Sequence, residues 1–268
     1  MYLQLIRKSP SITSKLPAIV ALAGFAVLWQ LLCMTGIVPA YMLPSPVEVL
    51  TALVRNIDHI AENAVFTLQE TAYGLALGIL LSFVTATVMD RFAIIDRAFS
   101  PLIIITQTIP TIAIAPILVL WLGYGIAPKI ALVVITTYFP ITIGLLSGYK
   151  SVDRDSVDLM RALGAGRMDI FIHLKFPQAL PQFFAGLKIA ASYAVVGAVV
   201  AEWLGGFNGL GVMMTRMQKA YAFDAMFAII LVIVVISLLL LALVEFAGKA
   251  TMPWKQLVDN EKEIQRNE

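Results

Sequence analysis

Long apolar runs alternate with short polar segments along this chain, and the lengths of the runs set the first structural expectation. A helix that crosses the roughly 30 Å hydrocarbon core of a bilayer needs about 20 predominantly apolar residues. Six runs come near this length, at residues 16–33, 67–89, 101–122, 128–148, 183–204 and 225–246. The pattern therefore predicts an all-α polytopic membrane protein with six transmembrane helices.

Two of the runs contain pairs of small residues four positions apart. Gly74 and Gly78 lie in the second run, and Gly144 and Gly148 lie in the fourth. This spacing places both glycines of a pair on one face, where helix backbones can approach closely. We expect these faces to be helix-packing surfaces.

The third run differs from the others because prolines and polar residues interrupt it. Pro110 and Pro116 remove backbone hydrogen bonds, and Gln107, Thr108 and Thr111 lie beside the first of them. Broken helices are tolerated in a membrane where they line a cavity and not where they face lipid. The sequence therefore predicts that Gln107, Thr108, Pro110 and Pro116 line a translocation pathway.

Two carboxylates lie near the outer ends of apolar runs, Glu70 in the second and Glu202 in the fifth. Ionisable groups in hydrocarbon are costly and tend to face a cavity or a partner. Two interpretations remain open for both residues. They contact a solute that enters from outside and so belong to the pathway, or they bond a neighbouring helix or reach the membrane interface.

The remaining segments complete the domain organisation. A basic lead at residues 1–15 precedes the first run, and a charged tail at 251–268 follows a six-helix domain at 16–250. A signal peptide is the competing interpretation of the first run, but this run is long and lacks a small-residue cleavage site close behind it. Residues 207–223 are predicted to be an extramembrane connection. Residues 36–66 are predicted to lie at the membrane surface, with apolar residues at helical spacing at Val47, Leu50, Leu53 and Ile57.

Composition narrows the classes of function. Of 268 residues, 60% are hydrophobic and 13% are charged, and the mean hydropathy of +0.88 excludes a water-soluble enzyme. The net charge of +2 is distributed among the loops, which predicts no nucleic-acid partner. One cysteine, Cys33, and two isolated histidines cannot form a cysteine–histidine metal site, so we expect no cofactor and no metal.

Nucleotide-binding motifs are likewise missing from the sequence. No segment has two glycines at P-loop spacing followed by Lys-Ser or Lys-Thr, so we expect a chain that is not an enzyme and has no ATPase site of its own. The glycine cluster at residues 205–211 follows an apolar run and not a strand of an α/β unit. It is therefore predicted to be a tight turn and not a dinucleotide site.

Basic residues predict the orientation. One side of the six predicted spans holds Arg55, Lys129, Arg216 and Lys219, which leaves 15 of the 19 Lys and Arg residues on the other side. Cytoplasmic loops carry the excess of Lys and Arg. The count predicts that both termini and the central polar segment, residues 149–181, are cytoplasmic.

The central segment is predicted to form two short helices at a right-angle bend. Asp155 is the expected cap of the first helix, Val157, Met160 and Leu163 share one face of it, and Gly164 ends or bends it. A second apolar face follows, and two prolines close the segment; these residues are Ile170, Phe171, Leu174, Pro177 and Pro181. Such an apolar knob suits a groove on another protein. The alternative is a solvated loop with an interfacial amphipathic helix.

The spacing inside this segment is similar to a known motif. The triplet Asp158-Leu159-Met160 is followed by three residues and then by Gly164. Nine residues separate Gly164 from Leu174-Lys175-Phe176-Pro177. This resembles the EAA loop of the membrane subunits of bacterial ABC importers, with Asp158 in place of Glu, and Leu159 and Met160 in place of two alanines. The resemblance implies that the segment couples the chain to an ATPase, through Asp158, Met160, Leu163, Gly164, Leu174 and Pro177.

Further stretches over roughly residues 17–250 resemble the branch of permeases that imports sulfonates, taurine, nitrate and thiamine precursors. These stretches are Leu43-Pro44-Ser45-Pro46, Gln107-Thr108-Ile109-Pro110, Trp121-Leu122-Gly123-Tyr124-Gly125, Tyr138-Phe139-Pro140 and Ala201-Glu202-Trp203. The resemblance implies a type I-like permease fold in the bacterial inner membrane. It also implies three kinds of partner: a second permease copy, a cytoplasmic pair of ABC ATPase subunits and an extracytoplasmic substrate-binding protein.

The resemblance also bears on the substrate. Sulfonate-type members commonly carry Arg in the second span where this chain has Glu70. This difference favours a thiamine-precursor pyrimidine or a related vitamin-like heterocycle. Alkanesulfonate, taurine or nitrate remain the alternative substrates, and a membrane enzyme or scaffold without transport activity remains the alternative of a different class.

Overall fold

The structure is a computed structural model that describes residues 12–36, 39 and 42–254. Residues 1–11 of the predicted lead and 255–268 of the predicted tail lie outside the described residues. The part that is described is all helical and contains no strand. Its helices are α1 (Ile12–Met34), α2 (Pro46–Arg55), α3 (Ile57–Arg91), α4 (Ala93–Thr108), α5 (Thr111–Leu122), α6 (Ile126–Lys150), α7 (Arg154–Ala162), α8 (Arg167–Ile170), α9 (Phe176–Gly205), α10 (Leu210–Lys219) and α11 (Phe223–Thr251), with a π-helical turn at Phe171–Lys175 between α8 and α9.

Helix length and hydropathy identify four to five membrane spans in the described residues. Four helices qualify on their own: α3, α6, α11 and the continuous helix Arg167–Gly205. The pair α4 and α5 makes a fifth if it is one bent span, and the apolar helix Ile19–Met34 is shorter than these. The all-α membrane class is therefore confirmed. Six spans with both ends in the cytoplasm stay a prediction.

α6 packs closely against α9 because glycines remove side chains from their interface. A Cβ atom at Gly144 would meet the backbone of Gln182, and one at Gly148 would meet Ala179. On α9, a Cβ at Gly186 would meet the carbonyl of Pro140. The predicted packing role of the pair Gly144 and Gly148 is confirmed, since only small residues allow such an approach.

The opposite side of α6 packs against α3, and glycines allow the close approach here too. A Cβ at Gly74 would overlap Val133, and one at Gly78 would overlap the hydroxyl of Thr137. Ser82 Oγ also donates a hydrogen bond of 3.0 Å to the carbonyl of Tyr138. The prediction for this glycine pair is confirmed too, and α6 lies between α3 and α9 at the centre of the bundle.

The buried core and the outer surface are both apolar, as expected of a chain that meets lipid on its outside. A cluster that includes Leu75, Ile141, Leu187 and Val244 joins α3, α6, α9 and α11. Large apolar side chains also cover the exposed faces, for example Leu239 on α11. Water would oppose such extensive exposure, whereas hydrocarbon does not.

α2 lies in the stretch that was predicted to be at the membrane surface, and a capping box begins it. Ser45 Oγ accepts the Glu48 N–H at 3.3 Å, and the Glu48 carboxylate accepts the Ser45 N–H at 2.7 Å, which is a capping box. Val49 and Ala52 are the buried residues of α2. The residues predicted at helical spacing are exposed or half-buried, namely Val47, Leu50, Leu53 and Ile57, and the last of them already begins α3. Their place at the membrane surface stays a prediction.

The connection predicted at residues 207–223 packs against the bundle. It contains α10, whose residues Leu210, Val212 and Met213 are buried. Leu210 and Met213 pack in a cluster with Ile60 of α3 and Ile229 of α11. The connection therefore includes a helix packed onto the bundle, and its place outside the membrane stays a prediction.

The third predicted span is not one helix. Pro110 separates α4 from α5, and the two helices meet at an angle of 100°. Pro116 lies inside α5 and does not end it. Only the first of the two prolines therefore breaks the run, and this break opens a space beside α6 and α9.

Candidate functional site

A cleft of about 720 Å³ lies between the α4–α5 break, α6 and α9. None of the described residues that line it is charged. Its polar groups are hydroxyls, amides and a phenol, from Thr106, Gln107, Thr111, Thr136, Ser147, Gln182 and Tyr193, and the remainder of its lining is largely apolar, for example Ile135, Phe139 and Ile189. The cleft can therefore hold a small molecule that offers both an apolar body and uncharged hydrogen-bonding groups.

The predicted pathway residues lie in different places. Gln107 and Pro110 line the cleft. Thr108 and Pro116 are not among the lining residues, and Thr108 Oγ1 donates to the carbonyl of Ile105 in its own helix at 2.8 Å. Sequence reasoning missed Tyr193, although it is a polar residue within the fifth apolar run. That run shows no contrast between a lipid face and a cleft face, so only packing reveals where Tyr193 points.

Glu70 and Glu202 do not line the cleft. They are 2% and 1% exposed and belong to a separate buried cluster. Lys129, which is only 5% exposed, donates to Glu70 Oε1 at 2.5 Å. Lys129 lies at the start of the fourth predicted span and was assigned to the less basic side of the membrane, and the structure shows that its ammonium forms a buried ion pair between α6 and α3.

Glu202 and its partner Thr67 accept hydrogen bonds from the first backbone N–H groups of α10. Its carboxylate accepts a hydrogen bond of 2.7 Å from Thr67 Oγ1 and one of 2.5 Å from the Gly211 N–H. Thr67 Oγ1 in turn accepts the Leu210 N–H at 2.9 Å. Gly209 has φ +121, and a Cβ there would overlap the Glu202 carboxylate. The predicted tight turn is confirmed, and its glycine is required both by backbone conformation and by space.

The same cluster joins four elements of the bundle. Lys129 also donates to the carbonyl of Asn208 at 3.2 Å, and the side chain of Asn63 accepts the Gly209 N–H at 2.9 Å. Glu70 Oε2 has no hydrogen-bond donor among the described residues. Here the two carboxylates bond neighbouring helices, which is the second of the interpretations drawn from the sequence. Contact with a solute stays a prediction.

The central polar segment forms a bend at the predicted glycine. α7 begins at Arg154 with Asp153 as its N-cap, so the cap predicted at Asp155 was wrong by two residues. After Leu163 the chain turns at Gly164, with φ +84, and the next N–H returns to the Met160 carbonyl at 2.9 Å. The prediction that Gly164 ends this helix is confirmed.

The second half of the segment differs from the prediction, because Pro177 and Pro181 do not close it. The chain runs as one helix over Arg167–Gly205. The π-helical turn at Phe171–Lys175 explains how Pro177 is accommodated: the Phe176 N–H bonds the Phe171 carbonyl five residues back, which shifts the ladder just before the residue that lacks an N–H. The fifth apolar span thus continues into the central segment.

The residues of the predicted coupling motif occupy two environments. Asp158, Leu163 and Gly164 are exposed at the tip of the bend, where Arg161 pairs with Asp158 at 3.0 Å. Three further residues are half-buried, namely Met160 on α7, Leu174 in the π-helical turn and Pro177 in the first turn of α9. The motif thus has an exposed tip and a part that is built into the bundle.

Ion pairs that the sequence did not predict attach this segment to the bundle. Lys175 Nζ donates to both carboxylate oxygens of Asp90, at the end of α3, at 2.8 Å. Lys150 at the end of α6 pairs with Asp96 of α4 at 2.7 Å. The bend is thus attached to α3 by a short ion pair and to α9 by a continuous helix.

Known proteins are similar to this chain in sequence and in fold. Residues 74–252 match the family described as "Binding-protein-dependent transport system inner membrane component". The chain is 38% identical over 221 residues to the formylaminopyrimidine transport permease protein ThiX of Halalkalibacterium halodurans, covering 81% of this chain and 87% of that protein. It is 37% identical over 213 residues to a probable ABC transporter permease protein of Haemophilus influenzae, covering 80% and 87%.

More distant similarities agree with this. The putative aliphatic sulfonates transport permease protein SsuC of Bacillus subtilis is 26% identical over 232 residues, covering 85% of this chain and 83% of that protein. A solved structure of an amino acid ABC transporter superimposes with a TM-score of 0.63 at 16% identity, over 75% of this chain and 97% of that chain, and so shows the shared fold. The chain therefore belongs to the family of binding-protein-dependent transport system inner membrane components, the permease subunits of ABC importers.

Proposed function

We propose that this importer permease forms the translocation pathway for a small uncharged heterocycle of the formylaminopyrimidine type. The observation that carries the proposal is the uncharged lining of the cleft at the α4–α5 break, where hydroxyl, amide and phenol groups stand among apolar side chains. A pyrimidine that bears a formylamino group offers a flat apolar ring together with donors and acceptors. Gln107, Gln182 and Tyr193 supply matching acceptors and donors.

An aliphatic sulfonate is the alternative solute, and the similarity to SsuC favours it. A sulfonate carries a permanent negative charge, which is expensive to transfer into an apolar cleft without a cationic partner. Among the described residues that line the cleft, none supplies that partner. The cleft chemistry and the higher identity to ThiX both support the heterocycle.

The energy for transport comes from ATPase subunits that dock on the exposed bend between α7 and α8. Large apolar side chains lie exposed around this otherwise charged bend, at Leu159, Leu163 and Met168, as at a protein interface. The complete importer contains two permease copies, an ATPase pair and an extracytoplasmic binding protein in the bacterial inner membrane, with the bend and both termini in the cytoplasm. Leu163→Asp should lower co-purification of the ATPase, whereas Phe207→Asp, an exposed apolar residue at the opposite end of α9, should not.

Uptake into proteoliposomes tests the substrate. The permease is reconstituted with its ATPase and binding protein, and uptake of labelled formylaminopyrimidine and of a labelled alkanesulfonate is compared. We expect ATP-dependent uptake of the heterocycle alone, with a loss in Gln182→Leu and in Tyr193→Phe. Gln218→Leu, an exposed amide on α10 outside the cleft, is the matched control. Uptake of the sulfonate without the heterocycle would overturn the proposed substrate and leave the permease role intact.

A further inference from the structure

A second cavity, of about 460 Å³, lies where the C-terminal end of α3 meets α7, α8 and the π-helical turn. Its lining contains four basic residues and one carboxylate, namely Arg91, Arg161, Arg167, Lys175 and Asp90. This cavity is distinct from the uncharged cleft at the α4–α5 break. Its charge points to an anionic ligand.

Two of the basic residues already have partners. Lys175 is neutralised by Asp90, which accepts from it through both oxygens. Arg161 pairs with Asp158 at 3.0 Å, but both side chains are exposed to solvent, so this pair contributes little and exchanges easily. Neither pair therefore accounts for the remaining positive charge of the cavity.

Arg91 and Arg167 supply that remaining charge. The Arg91 guanidinium lies 5.3 Å from the centroid of the Phe92 ring, a contact that orients it without neutralising it. No carboxylate in the part of the chain that the structure describes pairs with either arginine. One guanidinium can donate two parallel N–H bonds to phosphate oxygens, so a cavity lined by two such arginines suits a phosphate group.

The remaining residues that line the cavity are largely apolar, and this favours a phosphate ester with an apolar body over free phosphate. Val157, Met168, Ile170 and Phe171 face the cavity. Its volume equals that of about fifteen water molecules at about 30 Å³ each, whereas inorganic phosphate is far smaller. An anion with an attached apolar body fills this space, and a bare ion does not.

An apolar strip leads along α3 into the cavity. Leu80, Val84 and Val88 are exposed and follow one another at the four-residue spacing of a helix face, and Arg91 comes three residues later on the same face. At 1.5 Å per residue, Leu80 and Arg91 lie about 16 Å apart along the helix axis. This matches one leaflet, which is half of the roughly 30 Å hydrocarbon core.

We propose that this cavity binds the headgroup of an anionic phospholipid, with the phosphate at Arg91 and Arg167 and an acyl chain along Leu80, Val84 and Val88. Basic pockets at the cytoplasmic ends of transmembrane helices are suited to such headgroups. The bound lipid contacts α3 and the α7–α8 bend together, so it links the bilayer to the segment proposed to receive the ATPase. The proposal uses the membrane placement given above and does not depend on which solute is imported.

Native mass spectrometry of the purified full chain tests the site without substrate or ATPase. Phosphatidylglycerol and phosphatidylcholine are titrated against the wild type, Arg91→Gln/Arg167→Gln and the control Arg97→Gln/Arg154→Gln, which removes two arginines outside the cavity. We expect the wild type and the control to bind phosphatidylglycerol about tenfold more tightly than phosphatidylcholine, or better. The cavity variant should lose this preference while it remains monodisperse.

Three outcomes would overturn the proposal. The first is that the cavity variant keeps the preference for phosphatidylglycerol. The second is that millimolar inorganic phosphate abolishes lipid binding in the wild type, which would assign the site to the free ion. The third is that the variant binds lipid normally but loses the ATPase subunit in lipid-free detergent, which would assign the arginines to an acidic partner protein. Failure of heterocycle uptake would leave this binding result unchanged, so the two proposals are tested separately.

Discussion

Replacing Lys129 with methionine leaves Glu70 buried without its ammonium partner, in a cluster that also contains the buried carboxylate of Glu202. Removing one member of a buried ion pair costs about 3–5 kcal/mol, because the other charge stays in a medium of low dielectric constant. For a chain of this size that loss lowers the melting temperature by about 10 °C. Uncompensated carboxylates at the junction of α3, α6 and α9 should therefore destabilise the fold as a whole.

The double variant Lys129→Met/Glu70→Gln separates the ion pair from simple packing. Replacing both charged partners by uncharged groups of similar size is often nearly neutral. Glu70→Gln also removes the negative charge from Oε2, an acceptor that has no donor among the described residues. We therefore expect the double variant to recover most of the stability that Lys129→Met loses.

The assay is the fraction of detergent-solubilised protein that remains monodisperse in size-exclusion chromatography after heating. Lys219→Met, an exposed lysine at the end of α10, is the matched control and should melt with the wild type. A melting temperature of Lys129→Met equal to that of this control would refute the reasoning. So would a double variant that is no more stable than the single one, since the loss would then not come from the unpaired carboxylate.

Three further predictions concern the bend at Gly164, the contact between α6 and α9, and the cleft. The Gly164→Val variant should insert normally but weaken ATPase co-purification or uncouple ATP hydrolysis from uptake, because φ +84 strains a β-branched residue by about 1–2 kcal/mol. Gly164→Asn should do less harm, because asparagine tolerates positive φ better. Equal behaviour of the two variants would exclude backbone strain as the cause. Gly186→Val should cost about 1–3 kcal/mol by overpacking α6 against α9, measured by the same heating assay, and wild-type stability would contradict the close approach. In a Cys33→Ala background, Gln107→Cys should react with a polar thiol reagent several-fold faster than Thr108→Cys, whereas equal rates would place both residues in one environment.

The sequence by itself determined the class of the protein and several local features. Run length and composition predict membrane helices because the hydrocarbon core sets a minimum length for an apolar segment. Gly74, Gly78, Gly144 and Gly148 could be assigned to close helix packing from spacing alone. Gly164 could be assigned to a helix end, because glycine adopts positive φ with little cost.

Only the tertiary structure decided which faces of the helices are buried. In a water-soluble helix polar residues mark the outside, but here lipid and core are both apolar, so periodicity carries little information. Tyr193 therefore could not be placed in the cleft from the sequence. Pro110 could not be distinguished from Pro116 either. Both remove a backbone N–H from the same apolar run, and the packing around each proline decides whether the helix continues or breaks.

The buried ion cluster depends on the tertiary structure for a different reason. Thr67 and Glu202 are 135 residues apart in the chain, and Glu70 and Lys129 are 59 apart, so no local pattern connects them. In the sequence Lys129 resembles a loop charge, and only the packing of α6 against α3 brings its ammonium to Glu70. What the sequence determined is the set of apolar segments and their breaks, and what packing decided is which polar groups meet between them.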